Sequence, residues 1–144
     1  MKQQFRLENQ LCFRLYTASR LLTQAYHPLL SKDGLTYPQY LVLLVLWEKD
    51  GQPVNDIAKQ LMLETNTVTP LLKRMETGGI LTRTKGTSDA RQTIVKLTEK
   101  GELLQKKLSD VPKTVGKAVM CDSITQKTIP SLFKMLDDMI AKLK

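Results

Sequence analysis

Residues 55–97 constrain the fold more than any other stretch of the chain, because they pass from one periodicity to another. Apolar residues first recur at helical spacing in two short segments, 56–62 and 65–77. Apolar and polar residues then alternate in 80–85 and 92–97, which are joined by a polar, basic tip. Two short helices followed by a hairpin predict a mainly α fold with a small β-hairpin wing.

Turn and capping residues mark the ends of the two short helices. Asn55 is expected to cap the first, and Gly78-Gly79 to end the second. Pro70 lies inside the second helix and removes one backbone hydrogen bond. It is tolerated if the first turn is loose or if the helix begins nearer Thr67.

The N-terminal residues 5–30 have the pattern of one long helix. It has two parallel stripes, an apolar one of Leu11, Leu15, Ala18, Leu22, Ala25 and Leu29, and a mixed one of Cys12, Tyr16, Ser19, Thr23 and Tyr26. So wide an arc needs packing partners on two sides. One side can face the chain's own core, and the other a second subunit.

The next helix has a strong predicted start. Thr36 and Gln39 match a capping box, and Leu35 and Tyr40 match a hydrophobic staple. Residues 40–47 are apolar on every side, so this helix is expected to be buried.

The C-terminal third is predicted to contain two helices separated by a less regular stretch. Thr98 is expected to cap the first, which would extend to Val111. Ser123 and Gln126 match a capping box for the last helix, and Pro130 is expected to kink its start. That helix has an apolar stripe with near-heptad spacing, which favours a partner helix: Ile129, Leu132, Phe133, Leu136, Ile140 and Leu143.

Charge narrows the class of partner. The chain has 22 basic and 14 acidic residues, a net charge of +8. Within 73–107 there are nine basic residues against four acidic ones. A basic excess centred on the hairpin suggests a polyanionic partner, although charge alone does not separate nucleic acid from a membrane surface.

Several other classes are disfavoured. The N-terminus lacks the features of a signal peptide, and the longest apolar run, 40–47, is too short to span a bilayer. The two cysteines do not form a secreted disulfide framework. With one histidine and no Cys/His cluster, neither a metal nor a cofactor is expected. We therefore expect a cytoplasmic protein with no membrane partner.

A helix, a turn, a second helix and a basic wing form a winged helix-turn-helix, which binds double-stranded DNA. Asn66 can read adenine, and the neighbouring threonines can contact phosphates or a thymine methyl. Arg91 at the wing tip is long enough to enter a narrow minor groove. The alternative is that these residues have no role in DNA binding: the threonines would cap helices, and the basic residues would form a solvated face. The predicted DNA-binding residues are Thr65, Asn66, Thr67, Thr69, Pro70, Lys73, Arg74, Arg83, Lys85, Asp89 and Arg91.

The segments IAKQL, TVTPLLKRMETGGILTRT and SDARQTIVKLTEKG resemble the multiple-antibiotic-resistance regulator (MarR) family over nearly the whole chain. The resemblance implies a homodimeric transcription factor and not an enzyme. It implies one domain over 1–144, with a winged helix-turn-helix core at about 50–98 and dimerisation helices at about 5–31 and 99–143. In this family the arginine of the motif Asp89-Ala90-Arg91 enters the minor groove.

The segments LCFRLY and LTYPQY are similar to the organic-hydroperoxide-resistance repressors within that family. By this resemblance Cys12 is oxidised to sulfenic acid, and Tyr26 and Tyr37 hydrogen-bond the cysteine of the opposite subunit. The 14 residues from Cys12 to Tyr26 span about 21 Å of helix, so the two cannot meet within one chain through that helix. Cys121, just before the predicted start of the last helix, is the candidate resolving thiol; a small thiol is the alternative.

The resulting hypothesis is a repressor that binds a pseudo-palindromic operator when reduced and releases it when an organic hydroperoxide oxidises Cys12. One alternative is a MarR-type repressor that a small aromatic ligand releases, with Cys12 structural. A thiol peroxidase is a second alternative, although the sequence lacks the arginine-and-threonine pocket of such enzymes. A winged-helix module that binds protein is a third, which the hydroxyl-rich helix and the basic wing disfavour.

Overall fold

The computed structural model describes residues 2–144, which form seven α-helices and three short β-strands. The helices are α1 (Leu11–Leu30), α2 (Tyr37–Glu48), α3 (Val54–Leu61), α4 (Thr65–Thr77), α5 (Glu99–Lys107), α6 (Val111–Val119) and α7 (Ile129–Leu143). The strands are β1 (Gln52–Pro53), β2 (Leu81–Lys85) and β3 (Thr93–Leu97). The predicted mainly α fold with a small β wing is confirmed. None of the helices described is long and apolar enough to cross a membrane.

The chain divides into two compact units, one ending at Asp110 and the other beginning at Val111. In the first unit a core of fully buried side chains lies between α2, α3, α4 and the sheet. Its largest members include Leu43, Leu46, Ile57, Leu72, Met75 and Val95. The expectation that α2 is buried on every side is wrong at Leu44, which is 41% exposed.

The sheet is antiparallel in the order β1-β3-β2, so the predicted hairpin has a third strand. β1 pairs Gln52 with Val95 and Pro53 with Ile94. A strand of two residues that ends in proline is too short to show alternation, so no sequence pattern indicated it. The buried Gln52 amide donates to the carbonyls of Val45 and Lys49, which secures β1 against the end of α2.

The apolar pattern predicted that the first helix begins near Phe5, but α1 begins at Leu11. Two 3-10 turns, Gln3–Phe5 and Leu7–Asn9, precede it. The Asn9 amide donates to the Gln3 carbonyl and the Gln10 amide to the Gln4 and Arg6 carbonyls. Side-chain amides thus bond backbone groups that a longer helix would have used.

Asn55 does not cap the third helix, because α3 begins one residue earlier, at Val54, directly after Pro53. The Asn55 Oδ1 instead accepts a hydrogen bond of 3.2 Å from the Thr65 hydroxyl. This bond joins the first turn of α3 to the first residue of α4.

The C-terminal third departs furthest from expectation. α5 ends at Lys107 and does not extend to Val111, which instead begins the separate helix α6, and most of α6 lies in the stretch predicted to be irregular. The predicted Ser123 capping box is wrong, because α7 begins at Ile129. The Thr128 hydroxyl forms the local bonds there, accepting from the Thr125 N–H at 2.8 Å and donating to the Ser123 carbonyl. Pro130 lies in the first turn of α7, where its missing N–H has no helical partner to lose.

Three predicted helix boundaries are confirmed. The Thr36–Gln39 capping box starts α2, and the Thr98 hydroxyl accepts from the Gly101 N–H at the start of α5. Gly79, at a φ of 74°, ends α4 in a Schellman motif, with its N–H bonded to the Glu76 carbonyl.

Candidate nucleic-acid interface and sensing residues

α4 separates an apolar face from a polar one. Val68, Leu72 and Met75 are buried in the core. The residues of α4 predicted to bind DNA lie on the rest of the helix surface and are exposed, except that Thr69 is half-buried: Thr65, Asn66, Thr67, Thr69, Pro70, Lys73 and Arg74. This face offers hydroxyl, amide and cationic groups along one helix, which are the groups that contact base edges and phosphates.

Pro70 is accommodated without a later helix start. The N–H groups of Thr67 and Val68 both bond the Glu64 carbonyl, so α4 is helical from Thr65. The Thr69 hydroxyl donates to the Thr65 carbonyl at 2.9 Å. Pro70 leaves the Asn66 carbonyl without a helical donor, and Asn66 is exposed to solvent, which can supply one.

The wing tip is closed by its own hydrogen bonds. The Gly86 N–H bonds the Gln92 carbonyl at 2.9 Å, and the Gln92 N–H bonds the Asp89 carbonyl at 3.1 Å. The Asp89 carboxylate accepts from the Arg91 N–H at 3.0 Å and from its Nε at 3.2 Å. The Arg91 side chain is still 93% exposed, so the aspartate orients a guanidinium whose outer donors face solvent.

A cleft of about 520 Å³ lies between the wing and α4, hereafter the recognition helix. Five of the predicted DNA-binding residues line it: Thr65, Thr69, Arg83, Asp89 and Arg91. Lys85 lies exposed at the end of β2. Arg83 differs from the other wing cations, because its side chain is only 22% exposed and is paired with Glu76.

The predicted sensing tyrosines belong to an aromatic cluster. The rings of Tyr26 on α1 and Tyr37 on α2 are 4.6 Å apart, and Tyr40 lies 5.6 Å from Tyr26. Trp47 extends the cluster, 6.2 Å from Tyr40, and its Nε1 donates to the Gly101 carbonyl. Phenols are protonated at neutral pH and can donate hydrogen bonds, and burial raises the pKa of Tyr26, Tyr37 and Tyr40 further.

Both cysteines are free and exposed. Cys12 lies in the first turn of α1, at the opposite end of that helix from Tyr26. Cys121 lies in a turn where its N–H and carbonyl bond the carbonyl and N–H of Ile124. The expectation that Cys121 directly precedes the last helix is wrong, because α7 begins only at Ile129.

Sequence reasoning missed four residues of this region. Glu76, an acidic residue among the cations of α4, was the visible signal for a partner such as Arg83 across the Gly78-Gly79 turn. Tyr40 and Trp47 were assigned only to the core of α2. Asn55 was assigned to a cap and in fact bonds α4.

A helix-turn-helix whose second helix presents a polar face beside a β wing defines a winged-helix DNA-binding regulator. The sequence profile of the family described as transcriptional regulator SarA/Rot matches residues 24–110, and the chain belongs to that family. It is 50% identical over 110 residues to the organic hydroperoxide resistance transcriptional regulator of Bacillus subtilis (strain 168), covering 76% of this chain and 75% of the relative. It is 37% identical over 141 residues to the HTH-type transcriptional regulator MgrA of Staphylococcus aureus, covering 97% of this chain and 94% of the relative. The expected resemblance to MarR-type regulators of the organic-hydroperoxide branch is thereby confirmed.

Solved structures of AbfR from Staphylococcus epidermidis resemble this chain in three states. Reduced AbfR bound to DNA has a TM-score of 0.80 at 39% identity, covering 99% of this chain and 96% of that one. Overoxidized AbfR bound to DNA has a TM-score of 0.79 at 40% identity, covering 99% and 98%. The disulfide form has a TM-score of 0.66 at 40% identity, covering 98% and 94%.

Proposed function

We propose that this regulator is a homodimeric, cytoplasmic repressor that binds a pseudo-palindromic operator when reduced and releases it after an organic hydroperoxide oxidises Cys12. The observation that carries the proposal is an exposed cysteine on a helix whose apolar face is also exposed. The single-domain assignment of 1–144 and the roles of individual site residues belong to the proposal as well.

Exposed apolar helices support the homodimer. On α1, Leu11 is 64% exposed, and Leu30 is the only buried residue of the helix. Among the residues described, α7 has no buried side chain, and its Phe133 and Leu143 are 61% and 77% exposed. Apolar stripes of this length on two helices are expected to be covered, and a second copy supplies matching stripes. Two subunits also provide the two recognition helices that a pseudo-palindrome needs.

The oxidation chemistry requires a thiol that a peroxide can reach. The Cys12 thiolate attacks one peroxide oxygen, the O–O bond breaks, and the departing alkoxide takes a proton to become an alcohol. Cys12 is left as sulfenic acid. Protonated phenols such as Tyr26 and Tyr37, supplied by the opposite subunit, can donate hydrogen bonds to the thiolate and so stabilise its charge.

Cys121 is the proposed resolving thiol. Its sulfur attacks the sulfenic sulfur of Cys12, a disulfide forms, and water leaves. The AbfR structures favour disulfide formation over oxidation alone as the trigger, because overoxidized AbfR is bound to DNA. This chain is also less similar to the disulfide form than to either DNA-bound form, which indicates that AbfR itself differs between these states.

The central experiment measures DNA release. A fluorescent duplex selected by the reduced protein from a random-sequence library is titrated before and after treatment with cumene hydroperoxide. We expect the oxidant to release wild type and to leave Cys12→Ser bound. Release of Cys12→Ser would contradict the proposal, and release by a phenolate without any change in protein mass would favour the alternative of a small aromatic ligand.

Non-reducing electrophoresis tests the disulfide. Oxidised wild type should run as a covalent dimer that a reductant reverses, and neither Cys12→Ser nor Cys121→Ser should form it. Cys121→Ser should also retain the duplex after oxidation. A covalent dimer in Cys121→Ser, or a mass increase from an added small thiol in wild type, would remove the resolving role from Cys121.

A further inference from the structure

Glu76 and Arg83 form the only ion pair of the first unit, among the residues described, that joins the recognition helix to the wing. One Glu76 oxygen accepts from the Arg83 backbone N–H at 2.8 Å. The other accepts from the Arg83 Nη2 at 3.1 Å and from its Nε at 3.3 Å. The carboxylate therefore holds both the backbone and the side chain of one wing residue.

The alternation of β2 explains why Arg83 points to the helix. Leu81 and Arg83 lie on the same face of the strand because they are two residues apart, and Leu81 is buried. Arg83 thus continues the inward face one step towards the wing tip. Lys85 is on the same face at the end of the strand and is exposed.

Glu76 lies in the last turn of α4, and its backbone carbonyl accepts one of the hydrogen bonds of the Schellman motif that connects the helix to β2. The wing is also held by the pairing of β1 with β3, by the Leu97 N–H, which donates to the Asp50 carboxylate, and by the Thr98 hydroxyl, which donates to the Gly79 and Ile80 carbonyls. The two-oxygen contact of Glu76 with Arg83 adds a direct attachment of β2 to α4, and such bidentate pairing restricts orientation as well as distance. The hydrogen bonds from Arg83 hold the pKa of Glu76 below its usual range, so the pair is ionised at neutral pH.

We propose that Glu76 and Arg83 act as a strut that fixes the angle of the wing to the recognition helix, and that both residues strengthen DNA binding without contacting DNA. The inference rests on the DNA-binding part of the proposed function and replaces the direct DNA contact expected of Arg83. It makes both residues positioning residues.

The proposal predicts that removing the negative charge of Glu76 weakens DNA binding. A carboxylate beside a DNA-binding surface repels phosphates, so its removal should strengthen DNA binding if charge alone matters. If Glu76 is half of a strut, Glu76→Ala and Glu76→Gln should instead weaken binding, although both remove a negative charge. We expect about a tenfold loss for Glu76→Ala, the size typical of a lost hydrogen bond to a charged group.

The salt dependence separates a strut from a phosphate contact. Each phosphate contact contributes about −0.9 to the slope of log affinity against log salt concentration. Arg83→Ala should weaken binding and leave this slope unchanged. Lys73, on the exposed face of α4, is the matched cation, and Lys73→Ala should reduce the magnitude of the slope by about one for each subunit.

The measurement is fluorescence anisotropy with the full chain, under reducing conditions, on the duplex selected by wild type. Circular dichroism and thermal unfolding establish that each variant is folded. The double variant Glu76→Ala/Arg83→Ala should bind no more weakly than either single variant, because one contact is lost in all three.

Three results would overturn the strut: tighter binding by Glu76→Ala, a lowered salt slope in Arg83→Ala, or additive losses in the double variant. A failure of the underlying function is distinguishable, because wild type would then select no duplex at all. If Glu76→Ala does not fold, the Glu76→Gln affinity and the Arg83→Ala slope still decide the question.

Discussion

The central region buries its apolar side chains, whereas the terminal helices leave most of theirs exposed. In α2, α3, α4 and the sheet, side chains such as Leu43, Ile57 and Val95 are fully buried within one chain. In α1 and α7, leucine, isoleucine and phenylalanine recur at helical spacing and are largely exposed. The two regions have similar apolar patterns, and only the first finds its packing within the chain.

The two regions therefore differ in whether a single copy of the chain buries their apolar side chains. The central region has a closed core and a set of side-chain bonds that secure its strands and helix ends. The apolar stripes of the terminal helices are exposed in a single copy, and we propose that a second copy covers them. Since the proposed sensor, Cys12, lies on a terminal helix, its oxidation would act at this proposed interface and not on the closed core.

The largest effect should come from opening the closed core. Leu72→Ala removes a fully buried side chain of α4 and should lower the free energy of unfolding by about 2–5 kcal/mol. Leu44→Ala, at an exposed position of α2, should change it by about 0.5 kcal/mol or less. Urea unfolding at one fixed protein concentration compares the two, since association also contributes to stability. Equal losses would mean that Leu44 is covered in solution.

Gly101→Ala should have the next largest effect. A Cβ there would lie 2.2 Å from the Ile80 carbonyl oxygen, a backbone atom, so α5 must move away from the connection between α4 and β2. The Trp47 hydrogen bond to the Gly101 carbonyl would be disturbed as well. We expect a loss of about 1–3 kcal/mol in the free energy of unfolding.

Gly116→Ala is the matched control, because it is also helical and, among the described residues, no atom beyond its chain neighbours and its own helix backbone lies within 4 Å of the point that its Cβ would occupy. It should be neutral or stabilising by up to about 1 kcal/mol. Thermal unfolding followed by tryptophan fluorescence reports both variants. A loss in Gly116→Ala as large as that in Gly101→Ala would show that the close contact is not the cause.

How far the sequence predicted the structure follows the same division. Periodicity and capping chemistry placed α2, α4 and both long strands to within about one residue, because local bonds such as Thr36 with Gln39 decide those boundaries. The start of α7 was misplaced, because the Thr128 hydroxyl bonds the Thr125 N–H and the Ser123 carbonyl, so the residues predicted to begin the helix form a turn before it. Patterns of period 3.6 also cannot say whether an apolar stripe is buried by its own chain.

The candidate site also contains residues that the sequence predicted and residues that it did not. The exposed face of α4 and the position of Arg91 at the wing tip were predicted from residue type and spacing, and the pairing of Arg91 with Asp89 in one motif was implied by the family resemblance. The Glu76–Arg83 pair was not, because it joins two elements across a turn and its geometry depends on which face of β2 Arg83 occupies. Tyr26 and Tyr37 were selected by resemblance, and their packing with Tyr40 required the three-dimensional arrangement.

The terminal helices should show their dependence on a partner through association. Phe133→Asp places a charge in the exposed stripe of α7 and should weaken dimerisation at least tenfold, about 1.4 kcal/mol. Ser131→Asp makes the same change in charge on the other side of α7 and should have a much smaller effect. Sedimentation velocity over a concentration series measures both. Unchanged association in Phe133→Asp would exclude this stripe from the dimer interface.

The smallest effect concerns the tyrosine cluster, where α1 meets α2 and the two regions join. Burial raises the pKa of Tyr26, and the neighbouring Tyr37 raises it further, so the folded chain keeps protons that the unfolded chain loses above pH 10. The stabilisation is therefore present below pH 10 and is lost as the pH rises through the higher pKa of the folded state. Tyr26→Phe should lose less stability between about pH 9 and pH 11 than wild type in urea unfolding. Tyr16→Phe, at an exposed tyrosine of the same helix, should behave like wild type, and if it instead matched Tyr26→Phe, the alkaline loss would not arise from the packing of α1 on the central region.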